Sequence, residues 1–202
     1  MSRKKPATKT YMLRTCRADM TSHGGFVWPR SGPVEAPDWS PKPYCGEGLH
    51  GLLMGQGDGV LLDWSPDAVW LVVEVDPSEV VGLRGKVKVP RGIVVFAGDR
   101  FAATEDIINR GANRAEVVGG TATAGNYGTA TAGDGGTATA GNYGTATAGN
   151  YGTATAGYGG TVVVKYHDGL RYRLAVGYVG ENGIKPNTPY CVIGGNLVEK
   201  KS

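Results

Sequence analysis

Cysteine is scarce in this chain, and its three residues, Cys16, Cys45 and Cys191, are far apart. An odd number of distant cysteines, with no apolar signal segment after Met1, argues against a disulfide framework and predicts a reducing, cytoplasmic location. Long apolar runs are also missing, because no segment approaches the roughly 18 apolar residues that a membrane-spanning helix needs. The sequence therefore predicts a protein that does not span a membrane.

Charge on the folded part of the chain is nearly balanced. The formal net charge is +3, but six positive residues lie in two short tails, 1–10 and 199–202: Arg3, Lys4, Lys5, Lys9, Lys200 and Lys201. Phosphate binding needs a basic patch on a folded face, so nucleic acid is not an expected partner. The two tails are interpreted as disordered and solubilising.

Residues 11–118 have the pattern of a small mixed α/β domain made chiefly of strands. The segments 68–75 and 92–97 are apolar enough for buried strands, and 85–89 alternates apolar and charged residues as a half-buried strand does. A short helix is predicted from Thr104, which can act as the N-cap, to Gly111. Trp39 lies among five prolines and is expected to be exposed.

The segment 121–160 consists of five octapeptides, each beginning Thr-Ala-Thr-Ala-Gly. An alternation with period two points both threonines to one face and both alanines to the other, and the remaining residues suit a turn. Eight residues are too few to close a coil around side chains, so the simplest coil takes two octapeptides. Alternate octapeptides then stack at about 4.8 Å, the separation of hydrogen-bonded strands.

The expected fold class is α+β, mainly β. We expect the mixed domain, a short threonine-rich β-solenoid at 119–160, and a β-hairpin cap at 161–198 whose Asp168-Gly169 pair suits a hairpin turn. The predicted binding surface comprises the threonines and three corner tyrosines: Thr121, Thr123, Thr129, Thr131, Thr137, Thr139, Thr145, Thr147, Thr153, Thr155, Tyr127, Tyr143 and Tyr151.

The paired Thr-x-Thr arrays with tyrosine at a corner resemble the sixteen-residue repeat of bacterial ice-nucleation proteins. The resemblance implies a solenoid architecture and threonine faces that bind ice or ordered water. The flanking segments Ala36–Trp39 and Gly48–His50 are similar to uncharacterised proteins of phages and actinobacteria that carry such octapeptides. That likeness implies a bacterial or phage-infected cell, and a protein that acts on a host component.

Two constellations in the first domain have the residue types of chemical sites. Glu47 and His50, beside Cys45, offer a carboxylate, an imidazole and a thiol within six residues, the groups used in nucleophilic catalysis. The alternative is a glycine-rich turn with a structural histidine. Cys16, His23, Cys45 and His50 have the composition of a two-cysteine, two-histidine zinc site without its usual close spacing, so we predict no metal and no cofactor.

From the sequence we expect a non-enzymatic binding or assembly protein. Its solenoid would act as spacer, oligomerisation surface or flat recognition surface, and its partner would be a second copy or another protein. One alternative is an enzyme or small-ligand-binding domain centred on Glu47 and His50, favoured by a pocket at His50. Another is weak ice binding by the threonine faces.

Overall fold

The computed structural model describes residues 9–201, which divide between residues 110 and 111 into two compact units. The first unit is built on a seven-stranded antiparallel sheet with strand order β2-β7-β4-β1-β3-β6-β5. Its strands are β1 Thr10–Cys16, β2 Gly32–Glu35, β3 Leu49–Leu53, β4 Val69–Val75, β5 Val81–Leu83, β6 Lys86–Val89 and β7 Arg91–Gly98.

The centre of this sheet is buried because β1 and β4 are apolar on both faces. Residues Val69–Val73 are all buried, and Met12 and Leu13 are fully buried beside them. Trp28 and Trp70 fill the largest volumes of the interior, whereas Trp39 is only partly exposed and packs against the core. The prediction of an exposed Trp39 was therefore wrong: indole burial outweighed the effect of its proline neighbours.

The single α-helix of the described residues, α1, spans Arg100–Asn109 and contacts β1, β4 and β7. The predicted N-cap, Thr104, instead lies inside the helix, fully buried, with its hydroxyl bonded to the Arg100 carbonyl at 2.9 Å. The actual N-cap is Asp99, whose carboxylate accepts a hydrogen bond from the Ala102 N–H. Asp and Thr are both common N-caps. Because the helix buries Ala103 and Ile107, it begins after Asp99 rather than after Thr104.

In the second unit every octapeptide contributes one Thr-Ala-Thr-Ala strand, and successive strands go to different sheets. A five-stranded sheet has the order β16-β15-β12-β10-β8, and a four-stranded sheet has the order β14-β13-β11-β9. The strands are β8 Thr121–Ala124, β9 Thr129–Ala132, β10 Thr137–Ala140, β11 Thr145–Ala148, β12 Thr153–Ala156, β13 Thr161–His167, β14 Tyr172–Tyr178, β15 Tyr190–Ile193 and β16 Asn196–Glu199.

The repeat strands are parallel and in register, so each threonine lies beside the same threonine sixteen residues away. Thr137, for example, pairs with Thr121 on one side and Thr153 on the other. The alanines of both sheets pack into one apolar cluster, in which Ala138, Ala146 and Ala154 are fully buried. Between the repeat strands this thin interior is filled by methyl groups, and Val162, Val164 and Tyr190 join it beyond the last octapeptide.

The corners between strands depend on glycine and on left-handed backbone. The seventh residue of each octapeptide has a positive φ of 57–64°, and in three repeats it is a tyrosine rather than glycine. At the fifth position a side chain would meet the corner sixteen residues earlier, because a Cβ on Gly141 would lie 2.7 Å from the backbone nitrogen of Asn126. Alternate corners are therefore in direct backbone contact.

Antiparallel hairpins follow the last octapeptide. β13 continues the four-stranded sheet beside β11, and pairs with β14 through the Asp168-Gly169 turn. β15 joins the five-stranded sheet beside β12 and pairs with β16. The chain is thus mainly β, and no helix among residues 9–201 is both long and apolar enough to cross a bilayer.

Candidate functional site

The outward-facing threonines form two rows, one on each repeat sheet. In the four-stranded sheet, Thr129 and Thr131 are exposed, and Thr145 and Thr147 lie directly beside them in register, half-buried. Neighbouring strands in such a sheet are about 4.8 Å apart, and threonines two residues apart on one strand are separated by about 6.6 Å. This surface, called here the β9–β11 face, is a regular grid of hydroxyl and methyl groups.

The second row, on β8, β10 and β12, is partly covered. Thr121, Thr137, Thr139 and Thr155 are half-buried and Thr123 is exposed. Thr153 is only 5% exposed, and its hydroxyl accepts a hydrogen bond of 3.0 Å from the Lys200 ammonium. The C-terminal segment therefore closes this row at one end.

The corner tyrosines contact one another along the stack. The rings of Tyr127 and Tyr143 are stacked, with centroids 5.2 Å apart, and Tyr158 meets Tyr143 edge-on. Tyr151 lies at the opposite corner and is 76% exposed. Tyr158 was missed by the sequence analysis because it occupies the sixth position of its octapeptide, one residue before the other corner tyrosines.

Asparagine side chains hold successive corners together. The Asn126 amide oxygen accepts a hydrogen bond of 2.9 Å from the Asn142 N–H, and the Asn142 amide oxygen accepts one of 3.0 Å from the Tyr158 N–H. At the opposite corner, Asp134 accepts from Asn150 in the same way. Since each bond joins residues that are sixteen positions apart, the sixth position fixes the register between alternate octapeptides.

A separate feature lies in the first unit, where Glu47 and His50 both line a cleft of about 560 Å³. Two of the segments that line it are 45–48, just before β3, and 22–26. Arg14 from β1 and Lys86 from β6 also line it. The pairing of β3 with β1 and β6 brings these distant residues together.

The imidazole of His50 is held neutral. Burial, with Lys86, Arg14 and Lys88 nearby, lowers its pKa from 6.5 to about 4. Its Nε2 and the indole Nε1 of Trp28 are buried and have no hydrogen-bond partner within residues 9–201. The His50 Nε2 is thus covered by neighbouring atoms, whereas the Glu47 side chain is exposed.

Cys45 is the exposed cysteine of this cleft, and its Sγ lies 3.1 Å from the Lys86 ammonium. That hydrogen bond lowers the pKa of the Cys45 thiol. By contrast, burial raises the pKa of the Cys16 thiol, which is inside the core. The sequence analysis did not connect Lys86 with Cys45, because only the β3–β6 pairing places them together.

The cysteines and histidines considered as zinc ligands do not form a metal site. Across the described part of the chain, no three His, Cys, Asp or Glu side chains are arranged to hold a metal ion. Cys16 is buried in the core, whereas Cys45 is exposed at the cleft. His23, Cys45 and His50 all line the cleft, but they are not arranged to share a metal ion, and Cys16 is separated from them in the core.

Stacked threonine octapeptides place this chain among proteins that present a repeat-based surface, and curated ice nucleation proteins share the pattern. This chain is 42% identical over 109 residues to an ice nucleation protein of Pseudomonas syringae, and the aligned segment covers 53% of this chain and 9% of that protein. It is 43% identical over 101 residues to one from Xanthomonas campestris pv. translucens (49% of this chain, 6% of that protein). The ice nucleation protein InaU of Pantoea ananas is 38% identical over 107 residues (52% and 10%).

These matches confirm the resemblance of the octapeptides to ice-nucleation repeats. The chain spans about a tenth or less of the length of these relatives. No protein-family model matches the chain. No solved structure matches it either.

Proposed function

We propose that the octapeptides form a short β-solenoid with two octapeptides in each coil, and that the protein is a non-enzymatic recognition protein acting through its β9–β11 face. The observation that carries this proposal is the in-register alignment of identical threonines across β9 and β11. A flat grid of identical groups favours a partner with matching periodicity. The preferred partner is a second copy of the same face.

The rigidity of the face supports recognition. The alanines beneath it are fully or almost fully buried, and glycines at its corners are packed against backbone. Rigid surfaces lose little conformational entropy on binding, so a modest contact can be effective. The antiparallel hairpins beyond the last octapeptide act as the cap of the solenoid, which prevents further strands from adding at that end.

The test is sedimentation velocity of the full chain over a range of concentrations. We expect a wild-type dimer that dissociates when bulky charges are placed on the face by Thr131→Lys with Thr147→Lys. The matched control is Thr123→Lys with Thr139→Lys, which makes the same change on the other sheet and should leave the dimer intact. A wild-type monomer at all concentrations, or equal loss in both variants, would refute pairing through this face.

Ordered-water or ice binding is the second candidate, favoured by the matches to proteins named for ice nucleation. Two and a half coils give only about 12 Å of stack at the inter-strand spacing, which suits weak binding rather than templating of a nucleus. Ice-crystal shaping should then be visible with wild type and lost in the Thr131→Lys, Thr147→Lys variant. Unchanged crystal shape with wild type would exclude this candidate.

A further inference from the structure

The cleft of the first unit carries positive charge that is not neutralised by protein carboxylates. Within residues 9–201, none of the ion pairs includes Arg14, Lys86 or Lys88. Lys88 is fully buried, with its ammonium 3.3 Å from the carbonyl of Gly46, which lines the cleft, and 5.6 Å and 5.2 Å from the ring centres of Trp39 and Tyr44. A buried or half-buried cation without a carboxylate partner is stabilised by a nearby anion, so this arrangement favours an anion in the cleft.

Arg14 is prepared to bind such an anion. Its guanidinium is 4.3 Å from the centre of the Trp28 ring, which fixes its plane. Its Nε donates to the Thr15 carbonyl and its Nη1 to the His50 carbonyl, both at 3.1 Å. Guanidinium has five N–H groups in a rigid fork, so donors remain for a carboxylate or phosphate.

The neighbouring groups add to this preference. Lys86 lines the same cleft, and its ammonium donates a hydrogen bond to the Cys45 sulfur. Gly24, Gly25 and Gly46 line the cleft, and a Cβ at any of them would meet nothing within 4 Å. The backbone there is open to a ligand, and a volume of about 560 Å³ falls within the usual range for small-molecule sites.

We propose that this cleft binds a small organic molecule through its oxyanion, a phosphate ester or a carboxylate, which is held by Arg14 and Lys86. Cys45 and Glu47 lie at the rim and contribute to selectivity rather than to the anion contact. Trp28 and His50 form the wall behind Arg14 and position it. This site is independent of the threonine faces and of the function proposed for them.

The experiment is isothermal titration of the full chain at fixed ionic strength. The phosphate probes are adenosine monophosphate and ribose 5-phosphate, the carboxylate probe is citrate, and the neutral controls are adenosine and ribose. We expect saturable 1:1 binding of at least one anion and none of its neutral counterpart. Binding by the phosphates alone or by citrate alone identifies the oxyanion, and either result supports the site.

Lys86→Gln tests the residue assignment, with Arg84→Gln as the matched control. Arg84 is exposed, two residues away, and does not line the cleft. Loss of one ionic contact should weaken binding about tenfold in Lys86→Gln, with little change in Arg84→Gln. Lys86→Arg should restore most of the affinity. The proposal fails if no anion binds below 10 mM, or if both Gln variants lose affinity equally.

Discussion

Replacing Gly141 by alanine should destabilise the repeat region, because the fifth position of an octapeptide touches the preceding coil. An added Cβ would lie 2.5 Å from the Asn126 amide oxygen, 2.7 Å from the Asn126 nitrogen and 2.8 Å from the Gly125 carbonyl carbon. Carbon atoms do not approach backbone this closely without displacement. The coil must therefore open locally to accept one methyl group.

The magnitude follows from what that opening disturbs. Overpacking of a well-packed interior costs typically about 1–3 kcal/mol. The Gly141 N–H also donates to the Ala124 carbonyl at 3.1 Å, and loss of such a hydrogen bond adds about 0.5–1.5 kcal/mol. We therefore expect Gly141→Ala to lower the free energy of unfolding by about 2–4 kcal/mol.

The first octapeptide supplies a matched control. Gly125 occupies the same position of the repeat, but no octapeptide precedes it, and a Cβ there would meet nothing within 4 Å. Gly125→Ala should be neutral, or stabilising by up to about 1 kcal/mol through reduced entropy of the unfolded chain.

The assay is urea unfolding of the full chain followed by far-ultraviolet circular dichroism. Gly149→Ala and Gly157→Ala repeat the test, since a Cβ at either would also lie under 3 Å from backbone of the preceding coil. Equal midpoints for Gly125→Ala and Gly141→Ala would refute the argument that coil contact requires glycine here.

Three further predictions concern single side chains. Asn142→Ala removes the acceptor of the Tyr158 N–H and should cost about 1 kcal/mol in thermal unfolding, whereas Asn142→Asp keeps an acceptor and should cost less. The lowered pKa of His50, about 4, means that the unfolded chain binds a proton first as pH falls. The contribution of the neutral imidazole to the free energy of unfolding is therefore complete above about pH 6.5 and decreases toward pH 4. In urea unfolding over this window, the free energy of unfolding of wild type should fall by about 1–3 kcal/mol more than that of His50→Gln. Cys45 should react with iodoacetamide faster than Cys16 or Cys191, as measured by mass spectrometry of labelled peptides. Lys86→Gln should slow the alkylation of Cys45 several-fold. An unchanged rate would show that the Lys86 ammonium does not activate the thiol.

The repeat strands could be predicted from the sequence because local patterns determine them. Alternation of threonine and alanine determines the two faces of each strand, and the glycine-rich remainder determines the corners. The pairing of Thr121 with Thr137 was therefore predictable from the two-octapeptide spacing alone. In contrast, the prolines around Trp39 give no signal of a strand, yet Pro33 lies in β2 at the edge of the sheet, where a missing N–H is tolerated.

The cleft could be predicted only in part. Glu47 and His50 are neighbours in the sequence, so their chemistry was visible. Arg14 and Lys86 reach the same cleft only because β3 pairs with β1 and β6, and antiparallel pairing between distant strands leaves no local signature. Their cationic contribution was therefore invisible before the sheet order was known.

Alternation of successive octapeptides between two sheets also constrains how the gene can change. Duplication or loss of one octapeptide would move β13 and every later strand to the opposite sheet. The valines of β13, which now pair with threonine and alanine of β11, would then belong to the sheet that holds the first repeat strand. Expansion or contraction by recombination therefore keeps each later strand in its present sheet only when octapeptides are added or removed in pairs, that is, in multiples of forty-eight nucleotides.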